Sequence, residues 1–248
     1  MKRSMVLSTI ILLFVAAVSA QGVKSVRRSK KSGDVQKGSA AVVIDRRLSV
    51  LREGPGLYQP PVKRLETGTK LTVFEEKEGD GVLFYKVSDR TAVTGWIQAE
   101  AIAGSFRKND DQRVAQLILG SSGFQKVHRS VIFLELFPDS PFRPTILLLL
   151  GDEVEDQAAA ISENARKNLK RREMAAAQAP LHSFFLNYEE LDRYRNLGIR
   201  FLFNGNTQIL HYNGDSWLEL TRNFPESSLT IEARERISSL TKKMQAKE

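Results

Sequence analysis

The chain has 248 residues, 42% of them apolar and 27% charged, enough apolar material for one or two packed domains, which excludes a wholly disordered or collagen-like polymer. It contains no cysteine, so a disulfide framework, a thiolate metal site and a cysteine nucleophile are all excluded. The formal charge of +8 is unevenly spread: residues 40–248 hold 29 basic and 28 acidic side chains, so the excess lies ahead of them and the folded body is not of the basic, nucleic-acid-binding kind.

At the N-terminus, Lys2 and Arg3 precede an apolar stretch from Met5 to Val18 that is broken only by Ser8 and Thr9. Val18-Ser19-Ala20 then places small residues before Gln21, completing the pattern of an export signal peptide over residues 1–20. A permanent span needs about 20 apolar residues, so cleavage is expected, with an uncleaved anchor as the alternative. The product is expected to be periplasmic or extracellular. Residues 21–39 follow with Lys24, Arg27, Arg28, Lys30, Lys31 and Lys37 against the single acid Asp34, among serines and glycines. They read as a basic disordered linker, suited to weak contact with an anionic surface.

From residue 40 the pattern becomes that of strands. Ala41–Ile44, Leu71–Phe74, Val82–Val87 and Gly95–Ile97 are short β-rich runs, separated by turn clusters at 53–56, 67–68, 79–81 and 88–89. This spacing predicts a small β-barrel or sandwich over 40–104. From Asp110 the period turns helical: Val114, Leu117 and Ile118 are read on one face, and so are Val127, Val131, Leu134 and Leu136. A long helix is expected over 152–177, with the stripe Val154, Ala158, Ile161, Ala165 and Leu169, an acidic first turn from Asp152 to Asp156, and Pro180 beyond its end. Its narrow stripe leaves one side as a candidate partner surface. Gly198–Phe203 and Gln208–Tyr212 flank Asn204-Gly205 as a hairpin, a helix follows with Asp215 or Ser216 as its cap, and a last helix covers Ile231 to Met244.

One motif occurs twice: Phe137-Pro138-Asp139-Ser140 and Phe224-Pro225-Glu226-Ser227 each end one predicted helix and open another. Proline is barred from the helix interior and serine is a good cap, so both read as helix-turn-helix junctions, the first with Pro141 at the opening helical position. Two independent serine-capped helices would give the same signature.

Several of these segments match a known pattern. Leu48-Ser49-Val50-Leu51-Arg52-Glu53-Gly54-Pro55, Leu65-Glu66-Thr67-Gly68-Thr69-Lys70-Leu71, Phe84-Tyr85-Lys86-Val87 and Gly95-Trp96-Ile97 resemble, in order, four landmarks of bacterial SH3 domains. The first has one residue inserted before Arg52, and Phe84 stands where the family has Trp. The repeated Phe-Pro turn makes residues 108–248 resemble tetratricopeptide-like helical hairpins, without the 34-residue period of a true array. The fold class implied is therefore multi-domain, all-β plus α: an SH3-like barrel, then a mainly helical domain with one β-hairpin. The resemblance also points to Tyr58, Phe84 and Trp96 as ligand-binding residues of a barrel groove. A barrel of this size equally needs aromatics for its own core.

The search for catalysis is negative. His128, His182 and His211 lie on three separate elements without metal-ligand spacing, there is no Gly-x-Ser-x-Gly elbow, and Gly120-Ser121-Ser122-Gly123 lacks the Lys-[Ser/Thr] ending of a phosphate loop. No catalytic residue, metal or cofactor is expected. The expected function is that of an exported, non-catalytic envelope protein binding an envelope protein, a peptidoglycan peptide or a wall polymer, and not nucleic acid. The rival reading is an accessory component of peptidoglycan turnover with hydrolase activity, although a Cys-His peptidase would need the cysteine this chain lacks.

Overall fold

The computed structural model describes residues 38–169 and 171–246, so the expected signal peptide and nearly all of the basic linker lie outside the described residues. Seven strands open the fold: β1 (Ser39–Val43), β2 (Val50–Arg52), β3 (Pro61–Arg64), β4 (Lys70–Gly79), β5 (Val82–Asp89), β6 (Thr94–Gln98) and β7 (Ile102–Ala103). They form one antiparallel sheet in the order β3-β2-β6-β5-β4-β1-β7. One face buries Leu51, Leu71, Val73, Tyr85, Val87, Ile97 and Ile102 in a single apolar cluster, as the period-two pattern requires. The β4–β5 hairpin turns on Asp80 (φ 52°) and Gly81 (φ 73°), because a two-residue loop that follows the strand twist needs positive φ at both central positions.

The helical part comprises α1 (Asp110–Leu119), α2 (Gly123–Leu136), α3 (Arg143–Lys167), α4 (Arg171–Ala176), α5 (Leu181–Leu186) and α6 (Asp192–Arg195), then the hairpin β8 (Phe201–Asn204) with β9 (Ile209–Tyr212), then α7 (Asp215–Asn223) and α8 (Thr230–Gln245). The β-rich amino-terminal sheet followed by helices and one small hairpin is the expected fold class. Helix α3 is its central element. It carries Leu147, Leu150, Val154, Ala158, Ile161 and Ala165 into the main core, which also takes in Tyr194, Leu210, Trp217 and Leu220. At Gly151 a Cβ would lie 2.3 Å from Trp217 Nε1, so only glycine lets α7 lie this close to α3.

The long helix differs from the sequence expectation at both ends. It begins at Arg143, with Pro144 in its first turn, because the apolar run Ile146–Leu150 is buried as helix. It ends at Lys167, with Leu169 of the expected stripe just past its end and still packed on the main core, well before Pro180. The acids are therefore mid-helix and not a solvated first turn: Asp152 pairs with Arg236, Glu153 with Lys126, and Glu155 with Lys243 and His211. These pairs take up the flank of α3 that faces α2, α8 and β9, while Asp156, Ala159, Ala160, Glu163 and Lys167 keep the opposite strip of the helix exposed. At α7 the cap is Gly214, with Asp215 already inside the helix.

The repeated Phe-Pro turn is one structure built twice. The Phe137 and Phe224 N–H groups close α2 and α7 on Phe133 O and Leu220 O, with φ/ψ of −128°/63° and −132°/54°. Ser140 and Ser227 then donate their N–H to those phenylalanine carbonyls, and their Oγ atoms accept from Phe142 and Leu229 N–H, each at 3.3 Å. The serine thus fixes the turn, and the helix proper starts about three residues after it; Pro141 precedes α3 instead of opening it.

Sheet and helices share a core. Val42, Ile44 and Ala103 pack with Val114, Ile118, Ile132, Phe133 and Ile146 in one buried cluster. Beside it Asp110, 2% exposed, accepts from Gly104 N–H at 2.9 Å and from Arg107 and Arg113, each at 2.7 Å. Both guanidinium groups also donate to Ile102 O, tying the last strand to the first helix.

Candidate functional site

Where the β1–β2 turn meets the α1–α2 hairpin, an open cleft of about 650 Å³ is lined by Asp45, Arg46, Arg47, Arg64, Leu117, Gly120, Gln125 and Arg129. The turn is held from within. Arg47 N–H donates to Asp45 Oδ1 at 3.0 Å, a local side-chain turn of the kind Asp favours, and Ser49 Oγ donates to Arg46 O and Leu65 O. Arg64, on edge strand β3, reaches across with Nη1 to Arg46 O at 2.8 Å and Arg47 O at 3.1 Å.

Arg129 supplies the opposite wall from α2. It is 7% exposed, donating Nε to Ile44 O at 2.9 Å and Nη1 to Ser121 Oγ at 2.6 Å. Its Nη2 stands 3.8 Å from Asp45 Oδ1, an ion pair beyond hydrogen-bond length. Burial works to lower the Arg129 pKa, and the Asp45 charge opposes it. Asp45 itself is 3% exposed, and Arg47 grips it through Nε and Nη2, the latter at 2.6 Å. That grip holds the Asp45 carboxyl below the ordinary carboxylate range, although burial pushes the other way. The Arg46 Nε donates to Glu66 at 2.8 Å on the exposed rim.

Residues 49–103 match the family model of the bacterial SH3 domain. The match spans β2 to β7 and under a quarter of the chain, within the span whose four landmarks carried the resemblance. The SH3-like sheet therefore contributes Arg64 to the cleft, while Arg46 and Arg47 precede the matched segment and Arg129 belongs to the helices. No curated protein and no solved structure matched the chain.

The three aromatic residues expected to form a barrel groove have different environments. Tyr58 is 91% exposed in the β2–β3 loop, Phe84 is fully buried and Trp96 is 8% exposed. Phe84 pairs with Gln98 and Lys86 with Trp96 across β5–β6, so the two rings share the face opposite Tyr85 and Ile97. Their rings are already packed, leaving Tyr58 alone open to solvent.

Sequence reasoning missed the cleft. The adjacent Asp45-Arg46-Arg47 was a visible signal, but nothing in the sequence links it to Arg64 or to Arg129 on α2. It also missed the role of Glu155. Its carboxylate accepts from His211 Nδ1 at 2.9 Å, Lys243 Nζ at 2.7 Å and Tyr212 N–H at 2.8 Å. Burial works to raise the Glu155 pKa, yet these bonds, His211 first, outweigh it and bring it down to about 2. This cluster clamps α3, β9 and α8 together and reads as structural. Among the described residues no group of three metal-ligating side chains is gathered, and no helix is long and apolar enough to cross a membrane.

Proposed function

We propose that this chain is an exported, non-catalytic binding protein of the bacterial envelope, in which the SH3-like sheet and the helical hairpins act as one body that holds an envelope protein, a peptidoglycan peptide or a wall polymer. The observation that carries this reading is the bacterial SH3 match over 49–103, because domains of that family belong to envelope binding proteins. The shared core around Val42, Ile44 and Phe133 supports the single body, since it fixes the cleft walls relative to each other. The matching Phe137 and Phe224 turns support reading α2–α3 and α7–α8 as tetratricopeptide-like hairpin units. The Val18-Ser19-Ala20 pattern supports export, with a mature chain beginning at Gln21.

The test is a pull-down of envelope extracts with the tagged chain, run beside sedimentation with purified peptidoglycan and a muropeptide-release assay. Retention of a partner or of the polymer without release is the expected result. Release of soluble muropeptides would overturn the non-catalytic reading in favour of a hydrolase. Recovery of the intact 248-residue chain from the cytosol would overturn export.

A further inference from the structure

The cleft at the sheet–helix junction has a charge that the rest of the folded body does not explain. Its lining holds four arginines against one carboxylate, Asp45, whereas residues 40–248 are nearly balanced at 29 basic to 28 acidic side chains. The guanidinium groups are also oriented without being used up. Arg64 spends Nη1 on two backbone carbonyls and pairs with no carboxylate among the described residues. Arg46 spends its Nε on Glu66. Arg129 spends Nε and one Nη1 hydrogen on Ile44 O and Ser121 Oγ, and its Nη2 is too far from Asp45 for a hydrogen bond. A guanidinium has five N–H donors, so each of the three keeps donors in reserve, pre-oriented by the bonds it already makes. At the Asp110 junction the outcome is the opposite: Arg107 and Arg113 converge on one carboxylate and on the carbonyls of Ala99, Glu100 and Ile102.

We infer that this cleft binds an acidic peptide segment, with its carboxylates on Arg46, Arg64 and Arg129. The inference rests on the binding-protein reading above and names its ligand class. A volume of about 650 Å³ suits several residues of peptide and is generous for a single small anion. The planar fork of Arg47 on Asp45 displays the bidentate pairing that Arg46 and Arg64 can offer a ligand. Gln125 and Leu117, from the helical wall, supply an amide for a peptide backbone and an apolar patch for its side chains.

The experiment is fluorescence anisotropy with a labelled glycine-spaced Asp/Glu hexapeptide, its Asn/Gln counterpart as control, and inorganic phosphate and polyphosphate as competitors. The acidic peptide is expected to bind, more weakly as salt rises, and the amide peptide not to bind. Arg46→Gln, whose side chain holds no part of the turn, is expected to weaken binding about tenfold, and Arg46→Gln with Arg64→Gln about a hundredfold. Because Arg64 supports the β1–β2 turn, both variants are checked by melting. Lys63→Gln removes a charge from the same strand but outside the cleft, where Lys63 pairs with Asp89, and is expected to leave binding unchanged. Equal weakening by Lys63→Gln would overturn the proposal in favour of unspecific charge. Competition by phosphate or polyphosphate at lower concentration than the peptide would overturn it in favour of a polyanion site. No binding of the acidic peptide by the native chain, with envelope retention kept, would sink the ligand class and leave the binding-protein reading intact; absence of all retention in the native chain would sink that reading itself.

Discussion

Replacing Glu155 by Gln should expose how far a charge cluster holds the helical part together. The carboxylate is brought from an ordinary value of 4.5 to about 2, and its side chain is only 15% exposed, so solvent screening takes away little. A shift of that size, at about 1.4 kcal/mol per pH unit, corresponds to roughly 3 kcal/mol of stability. The sign follows from the direction: a depressed folded-state pKa contributes fully above the unfolded value and is lost as pH falls through the folded one. Glu155→Gln should therefore cost about 3 kcal/mol near neutral pH, or roughly 6–12 °C in melting temperature for a chain of this size. The cost should shrink between pH 4.5 and about 2, where the native carboxyl takes up its proton. Urea unfolding of both proteins across that range isolates the effect, since every other carboxylate is common to the two. A penalty that stays constant from neutral to acid pH, or one below about 1 kcal/mol at neutrality, would show that His211, Lys243 and Tyr212 N–H do not stabilise the ionised form as the geometry requires.

Two further outcomes follow from burial. Phe133, fully buried in the cluster shared by sheet and helices, should cost about 3–5 kcal/mol when truncated to alanine, and calorimetry should show one transition moving as a whole; two separated transitions, with only one shifted, would refute the shared core. Trp96→Ala should likewise cost about 3–5 kcal/mol of stability because the ring is 8% exposed, whereas Tyr58→Ala at 91% exposure should leave the melting point within a degree or two; an unchanged melting point for Trp96→Ala would return that ring to the role of a ligand anchor.

The sequence by itself settled what depends on local chemistry. The β4–β5 turn followed from Gly79-Asp80-Gly81, the strand at 82–87 from its run of β-forming residues, the late hairpin from Asn204-Gly205 between two β-rich runs, and the two helix junctions from Phe-Pro-x-Ser. In each case the residues that decide the conformation are neighbours in the chain, so a short window contains the physics. The start of α3 was not legible in that way, because Ile146–Leu150 is apolar on every side and has no period of its own; burial between the shared cluster and the main core makes it helix. The acids of α3 looked like a solvated first turn for the same reason: their partners Lys126, His211, Arg236 and Lys243 lie 27 to 88 residues away in sequence, and only packing brings them together. The arginine cleft is the extreme case. Arg46, Arg64 and Arg129 share no period or motif, and become neighbours only because Val42, Ile44 and Ala103 use the back of a sheet strand as a core for α1 and α2.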